Sequence, residues 1–560
     1  MFRGRAAGIL VGGLAVLGLG ATGGPPEARP EPPASVSAAA QACESEPLST
    51  SGTIYYVCDC KPGAAPGCQP GRDESSGRTV SSPWRTLAKA VSEFPKLRAG
   101  DTLAFCRGGV FEGGGDFWFN TNCRANRPCR IRDYTPRGQS AQAPAPRLHT
   151  SLNISNGGNA RHKEGVRVSN LTLEGNGSGV GVALFNDAKD IFLCNLTVQN
   201  YNIGVYPAGA NLPDPGSDGF NARIVLRGSR VLHNKSMGWL GACDDCRIES
   251  NLFDHNGDAN MADHSIYVND ANSRIEPEHP ARGMQVVGNE IYHSSQGEGP
   301  ICQGAPIVVH GSKDGLVIRG NFISQDLGTA GGGCWGIMLS ANYKNAEGFR
   351  NVTVSGNTVR NVGNTSIHVQ DCQGCVVENN LIIQAQPAFG ARGINVQRNS
   401  EERLPRMLVG TAATVRNNTI YFSTSEPSDG VIVGGEGRDH VIAGNVVVQS
   451  GSGRLNCFDY DLPPAAYYSD HNFCWNANKG STSWQARAKT LGAWQGASGL
   501  DAHSSFADPL FVRMGWKEYD FSPAPRSPLI HAGDPAHSPP SDLLGRPRPV
   551  QPGAGALDLP

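Results

Sequence analysis

A short phrase recurs along this chain and limits what it can fold into. Val317-Ile318-Arg319-Gly320-Asn321-Phe322-Ile323, Val354-Ser355-Gly356-Asn357-Thr358-Val359, Val377-Glu378-Asn379-Asn380-Leu381-Ile382 and Ile442-Ala443-Gly444-Asn445-Val446-Val447 share one pattern, and the segments around Asn251, Asn289 and Asn418 repeat it. The shortest interval, from Asn357 to Asn380, is 23 residues. Self-similarity at that period is the mark of a solenoid. Within each repeat apolar residues alternate by two and break at Asn and Gly, so each coil is made of strands joined by tight turns. Such coils stack as a parallel β-helix. Inward Val, Ile and Leu form a continuous core, and the recurring Asn can line up so that its amide bonds the same residue on adjacent coils. These asparagines are therefore read as structural.

The stretch Asp263-His264-Ser265-Ile266-Tyr267-Val268-Asn269-Asp270 is the coil richest in reactive side chains. One register aligns it with its neighbours: Ile266, Ile307, Ile337, Ile367 and Ile394 are successive inward positions of one strand. The outward residues that follow are Tyr267, Val308, Met338, His368 and Asn395. Two positions on, also outward, are Asn269, His310, Ser340, Gln370 and Gln397. Strict alternation turns His264 inward. The longer intervals, 254–263, 271–283, 294–305, 341–350 and 398–413, are loops beside these strands.

Composition fits this reading. The chain has 560 residues, of which 71 are glycine, with no collagen-like period. Its 48 basic and 50 acidic residues give no overall field to gather nucleic acid. Arg3 and Arg5, an apolar run from Ala6 to Ala21 and a small-residue end read as a signal peptide over 1–24, so export is expected. The run is shorter than the roughly 20 apolar residues of a membrane span. Residues 25–50, rich in Pro, Ala, Ser and Glu, read as a disordered leader. The 16 cysteines suit disulfides in an exported chain. Cys243/Cys246 and Cys372/Cys375 stand four coils apart, roughly 19 Å at strand spacing, so each pair is expected to staple its own turn instead of sharing zinc.

The remaining segments read as caps. Residues 51–150 form an N-terminal cap and first coils, with a short amphipathic helix after Pro83 on which Leu87, Ala90, Val91 and Phe94 face one side. Residues 151–455 are the β-helix proper. Residues 456–560, with Asp508-Pro509-Leu510-Phe511 and Ser527-Pro528-Leu529-Ile530, form C-terminal coils and an irregular cap. A monomer is expected.

The opening Tyr55-Tyr56-Val57, Pro83-Trp84-Arg85-Thr86-Leu87 and Ala99-Gly100-Asp101-Thr102-Leu103, the Gly-Asn phrases and the ending just quoted together resemble bacterial secreted right-handed parallel β-helix proteins of the pectate-lyase-like superfamily. The resemblance covers about residues 50–560. It implies a right-handed helix and a polysaccharide partner bound along one exposed parallel sheet between walling loops. It spans lyases, uronate epimerases, glycoside hydrolases and non-catalytic surface proteins. Calcium-dependent lyases of this fold use an Arg or Lys base, and the two outward columns contain neither. Asp263-His264 is similar to the Asp-Pro-His motif of the epimerases but has no proline. Hydrolases need grouped aspartates, and the only group noticed is Asp254, Asp258, Asp263 and Asp270.

Removing the proton beside a uronate carboxylate needs a base, together with a cation or hydrogen-bond donor to neutralise the carboxylate. The unperturbed pKa of histidine suits the base, and a tyrosine can return a proton to the leaving oxygen. Tyr267 and His310 form the expected catalytic pair, with His264 as a third candidate. Asn269, His368, Trp335, Lys344 and Arg392 are expected to bind substrate, and Arg274, Arg282, Lys313 and Arg398 are further loop cations. Asp263 and Asp270 are the candidate calcium ligands, without an EF-hand or nonapeptide pattern around them.

Overall fold

The structure is a computed structural model that describes residues 34–48, 52–118, 120–136, 143–154, 163–210, 218–269, 280–297, 301–341, 348–386, 391–397, 410–435, 437–478, 481–515 and 518–559. Three long parallel sheets of 14, 14 and 12 strands run the length of the molecule, and the chain visits them in turn on each coil. This is a right-handed parallel β-helix. The expected register holds partner for partner: Ile266 pairs with Ile307, Ile307 with Ile337, Ile337 with Ile367 and Ile367 with Ile394. All five isoleucines are fully buried. They belong to the third sheet.

The asparagine ladder occupies the turn between the first and second sheets. Asn289 Nδ2 donates to Asn321 Oδ1 at 3.0 Å, Asn321 to Asn357 at 2.9 Å and Asn357 to Asn380 at 3.0 Å. The series continues through Asn418 and Asn445 to Asn472. Each rung also satisfies a main-chain carbonyl, as Asn357 does for Ile318 at 2.9 Å. A buried turn thus keeps its polar groups paired without water.

Both ends of the core are closed. Thr86 caps the helix Leu87–Glu93 by accepting from Lys89 N at 3.1 Å, and the helix buries Leu87 and Ala90 over the first coils. At the other end Thr490 caps Leu491–Ser498, whose Trp494 lies 5.7 Å from Tyr460. The C-terminal region is therefore more regular than expected, and it also holds an antiparallel hairpin, Phe511–Gly515 with Glu518–Pro523.

A correction concerns the leader. Where disorder is expected, Ala34–Glu44 is helical, Cys43 is bonded to Cys194, and Val36 is buried against Leu232 and Leu252 of the second sheet. The C-terminal Phe511, Phe521, Leu529 and Leu557 pack on Ile383, Tyr421 and Val448 of the same sheet. Both tails thus cover the second sheet. No such packing covers the outer face of the third among the described residues.

All sixteen cysteines pair, including Cys243 with Cys246 and Cys372 with Cys375 as local staples. Among the described residues no helix is long and apolar enough to cross a membrane.

Candidate active site

The outer face of the third sheet carries a cleft of about 220 Å³ lined by Met261, His264, Tyr267, His310, Trp335 and Met338 with small residues between them. The Tyr267 ring lies between two imidazoles, 5.3 Å from His264 and 5.6 Å from His310, edge-on to both. The expected pair therefore meets on one face, and His264 joins it.

The presence of His264 corrects the inward assignment. On most of these coils the position before the inward residue is small and also turned inward, as at Gly238, Ser265, Gly336, Ser366 and Gly393, with Pro306 before Ile307 the exception in size. A Cβ on Gly238 would stand 2.6 Å from Ser265 O, and one on Gly336 would stand 2.2 Å from Ser366 O. Two consecutive inward positions break the alternation there. Pairing accordingly joins His264 to Ala305 and Ile266 to Ile307 but skips Ser265. The residue before the small one returns to the outer face.

His264 is 5% exposed. Its Nδ1 lies 3.2 Å from both the amide and the carbonyl of Ala305, so the tautomer decides which bond forms. Burial lowers its pKa to about 3. Burial, reinforced by Arg392, lowers that of His368 to about 4. Both imidazoles are thus neutral donors and acceptors near neutral pH, not cations. Nδ1 of His368 is buried with no hydrogen-bond partner among the described residues, and its ring rests 5.4 Å from that of Trp335. His368 therefore backs the cleft through Trp335.

These depressed values predict a stability change with pH. An unfolded histidine takes up a proton near pH 6.5 while the folded one does not until about 3 or 4, so the unfolded state binds more protons between those limits. The contribution of these two residues should be full above pH 6.5 and fall on acidification, by about 2 kcal/mol per histidine at pH 5. His293 opposes this with a gain, since despite its burial Asp254 and Asp326 raise its pKa to about 9. Denaturant midpoints measured from pH 7.5 to 5 check this, and His368→Gln should flatten the profile.

The other expected residues divide. Asn269 directly follows the strand His264–Val268 and carries a buried side-chain oxygen with no partner among the described residues. Lys313 is not a groove cation: it is buried and its Nζ donates to His310 O at 2.6 Å, fixing the main chain of the neighbouring catalytic candidate. Arg392 stands four strand steps from His264, roughly 19 Å away, with Nε 3.8 Å from Asp429 Oδ2. Lys344, Asp270, Arg274 and Arg398 lie outside the described residues. Asp263 accepts from Ser236 Oγ on one carboxylate oxygen and from Asn260 Nδ2 on the other. Asp254 is engaged by two histidines.

Sequence reasoning missed a group further along the sheet. Arg392 pairs with Asp429 and Asp429 with Asn456, while Asn395 pairs with Ile432 and Ile432 with Asp459. Burial raises the pKa of Asp459, and the charges of Asp461 and Asp429 raise it further. Side-chain oxygens of Asn395 and Asn456 are buried beside this group with no partner among the described residues. The cluster lies six strand steps from Tyr267, roughly 29 Å along the same face.

No family model matches the sequence, and comparison with curated proteins finds no match either. Among solved structures the chain is similar to a pectate lyase, Pel9A, at 13% identity over 92% of this chain and all of that one, with a TM-score of 0.39. It is similar to a PL6 polysaccharide lyase from Pseudopedobacter saltans at 12% identity over 79% of this chain and 91% of that one, with a TM-score of 0.38. PfbA, a surface adhesin of Streptococcus pneumoniae, aligns at 10% identity over 66% and 87% of the two chains, with a TM-score of 0.38. Likeness at this level assigns no activity.

Proposed function

We propose that the protein is an exported polysaccharide lyase that binds an acidic glycan along the outer face of the third sheet and cleaves it at Tyr267. The observation that carries this reading is the Tyr267 ring held between His264 and His310 in an outward cleft. His310 takes the proton from the carbon bearing the uronate carboxylate. The resulting electron pair forms a double bond to the neighbouring carbon, and the bond from that carbon to the glycosidic oxygen breaks. Tyr267 gives its phenolic proton to the departing oxygen. His264, kept neutral by burial, donates to the carboxylate together with Asn269, which acts as fixed dipoles do in a water-poor site. Trp335 offers a sugar-stacking face. Eight disulfides fit an oxidising compartment.

The test is a panel of uronate polysaccharides followed by the ultraviolet absorbance of the unsaturated product. Growth of absorbance that is lost in His310→Ala supports the proposal. Solvent deuterium incorporated without absorbance would make the reaction an epimerisation, and no change on any uronate polymer would sink both.

One observation favours a second reading, glycoside hydrolysis at Asp429, Asp459 and Asp461. A buried carboxyl group with a raised pKa beside other carboxyl groups is the arrangement for a general acid. On this reading reducing ends rise without new absorbance. Asp459→Asn should then reduce turnover about 10²–10⁴-fold, whereas a lyase centred on Tyr267 should tolerate the change. Reducing-end release compared in the two proteins separates the readings.

A further inference from the structure

The turn between the second and third sheets repeats a left-handed residue from coil to coil. Asn200, His233, His255 and His293 occupy it on four successive coils with φ of 61°, 51°, 51° and 46°; Gln325 on the next coil is not left-handed, and Asn361 on the one after is, at 59°. Its amides donate along the ladder, His233 to Asp254 O at 3.1 Å and Asn361 to Ile383 O at 2.8 Å. Asparagine fills the position before the histidines, at Asn200, and again at Asn361, and tolerates the left-handed region well. The backbone therefore does not require the three central histidines.

Their side chains converge instead. His233 and His255 stack at 5.1 Å, and His255 and His293 lie 4.2 Å apart. Oδ1 of Asp254 is 2.8 Å from His255 Nδ1 and 2.7 Å from His293 Nδ1. One ligand atom from each of the three residues falls within 4.8 Å of the others. On the far side of its ring, His293 Nε2 lies 3.1 Å from Asp326 Oδ2. His255 also lines an open pocket of about 640 Å³ with His233, Lys235 and Asp258.

We propose that Asp254, His255 and His293 bind a zinc ion, with Asp326 orienting His293. Two imidazoles and one carboxylate are a zinc donor set, with metal–ligand distances of about 2.0–2.2 Å that the converging Nδ1 and Oδ1 atoms can reach by small rotations. A carboxylate on the other nitrogen of a ligating histidine is the usual support for such a site: it fixes the tautomer that leaves the metal-facing nitrogen unprotonated. The pocket leaves a coordination position open to water or a glycan hydroxyl. Calcium, which selects oxygen ligands, is a poor match for the imidazoles. A second Asp-His-His group, Asp470, His471 and His503, is more open to solvent, with His503 largely exposed.

The test uses tag-free full chain, stripped with chelator, dialysed and titrated with zinc chloride by calorimetry and metal analysis. One saturable equivalent per chain is expected, undisturbed by excess calcium. His255→Asn and His293→Asn, which keep the left-handed backbone, should abolish it. Asp326→Asn should weaken binding about 10–100-fold while retaining one equivalent. His264→Asn should bind zinc normally, which separates this site from the cleft whatever reaction the cleft performs. Absence of saturable uptake by the intact chain, or equal uptake by His293→Asn, overturns the proposal.

Discussion

Replacing Tyr267 with phenylalanine should lower turnover of the cleaved polysaccharide about 10²–10⁴-fold, the usual worth of a positioned general acid, and leave thermal unfolding close to that of the parent. The change removes one oxygen and keeps the ring. The edge-on contacts with His264 and His310 persist, and the side chain lies outside the core. Because the phenol acts on the leaving oxygen, the loss should fall on kcat with KM little altered. Trp335→Ala should do the reverse and raise KM by removing a binding face. A Tyr267→Phe protein that retained full kcat would remove the phenol from the reaction and leave the carboxylates near Asp459 as the next candidates.

Most of the fold is legible because it repeats. A wrong register would put Tyr267 rather than Ile266 into the core, so alternation over five coils fixes which face is buried, and the structure pairs those isoleucines one to one. The site is less legible because it depends on breaks in that alternation. His264 turns outward through the small residue after it, a signal present in Gly238, Ser265, Gly336, Ser366 and Gly393 but visible only when the coils are aligned on that column. The Asp429 and Asp459 group escapes because the alignment ends at Ile394. Carried two coils further, to Val431 and Phe458, it places Asp459 outward, while Asp429 sits in the His264 column and needs the same break, at Gly430, to be read as outward. The helix at Ala34–Glu44 could not be read this way. Its anchor is the bond from Cys43 to Cys194, 151 residues away, and the local Ala- and Ser-rich composition says nothing of that partner. Lys313 shows the same limit: a lysine in a loop reads as solvated until its carbonyl acceptors are known.

The largest expected stability loss lies in the asparagine ladder. Asn357→Ala removes an acceptor used by both the amide and Nδ2 of Asn321, at 3.0 and 2.9 Å, and removes the donor to Ile318 O at 2.9 Å and to Asn380 Oδ1 at 3.0 Å. Asn321, Asn357 and Asn380 are all at most 1% exposed, so water cannot readily replace these bonds. Each buried group left unpaired costs about 1–3 kcal/mol, and the lost amide leaves a void on a turn that cannot collapse between two coils. A destabilisation of about 3–5 kcal/mol is therefore expected, measured as the shift in denaturant midpoint at constant slope. Asn357→Asp is the sharper variant. It keeps the size and can still accept from Asn321, but it loses both Nδ2 donors and sets a carboxylate against Asn380 Oδ1. Similar losses in the two variants would assign the stability to the donated bonds. An alanine loss well above the aspartate loss would assign it to the bonds accepted from Asn321. Midpoints equal to the parent in both would show that the coils are held by their apolar core alone, with the ladder setting only which residue of each coil faces which neighbour.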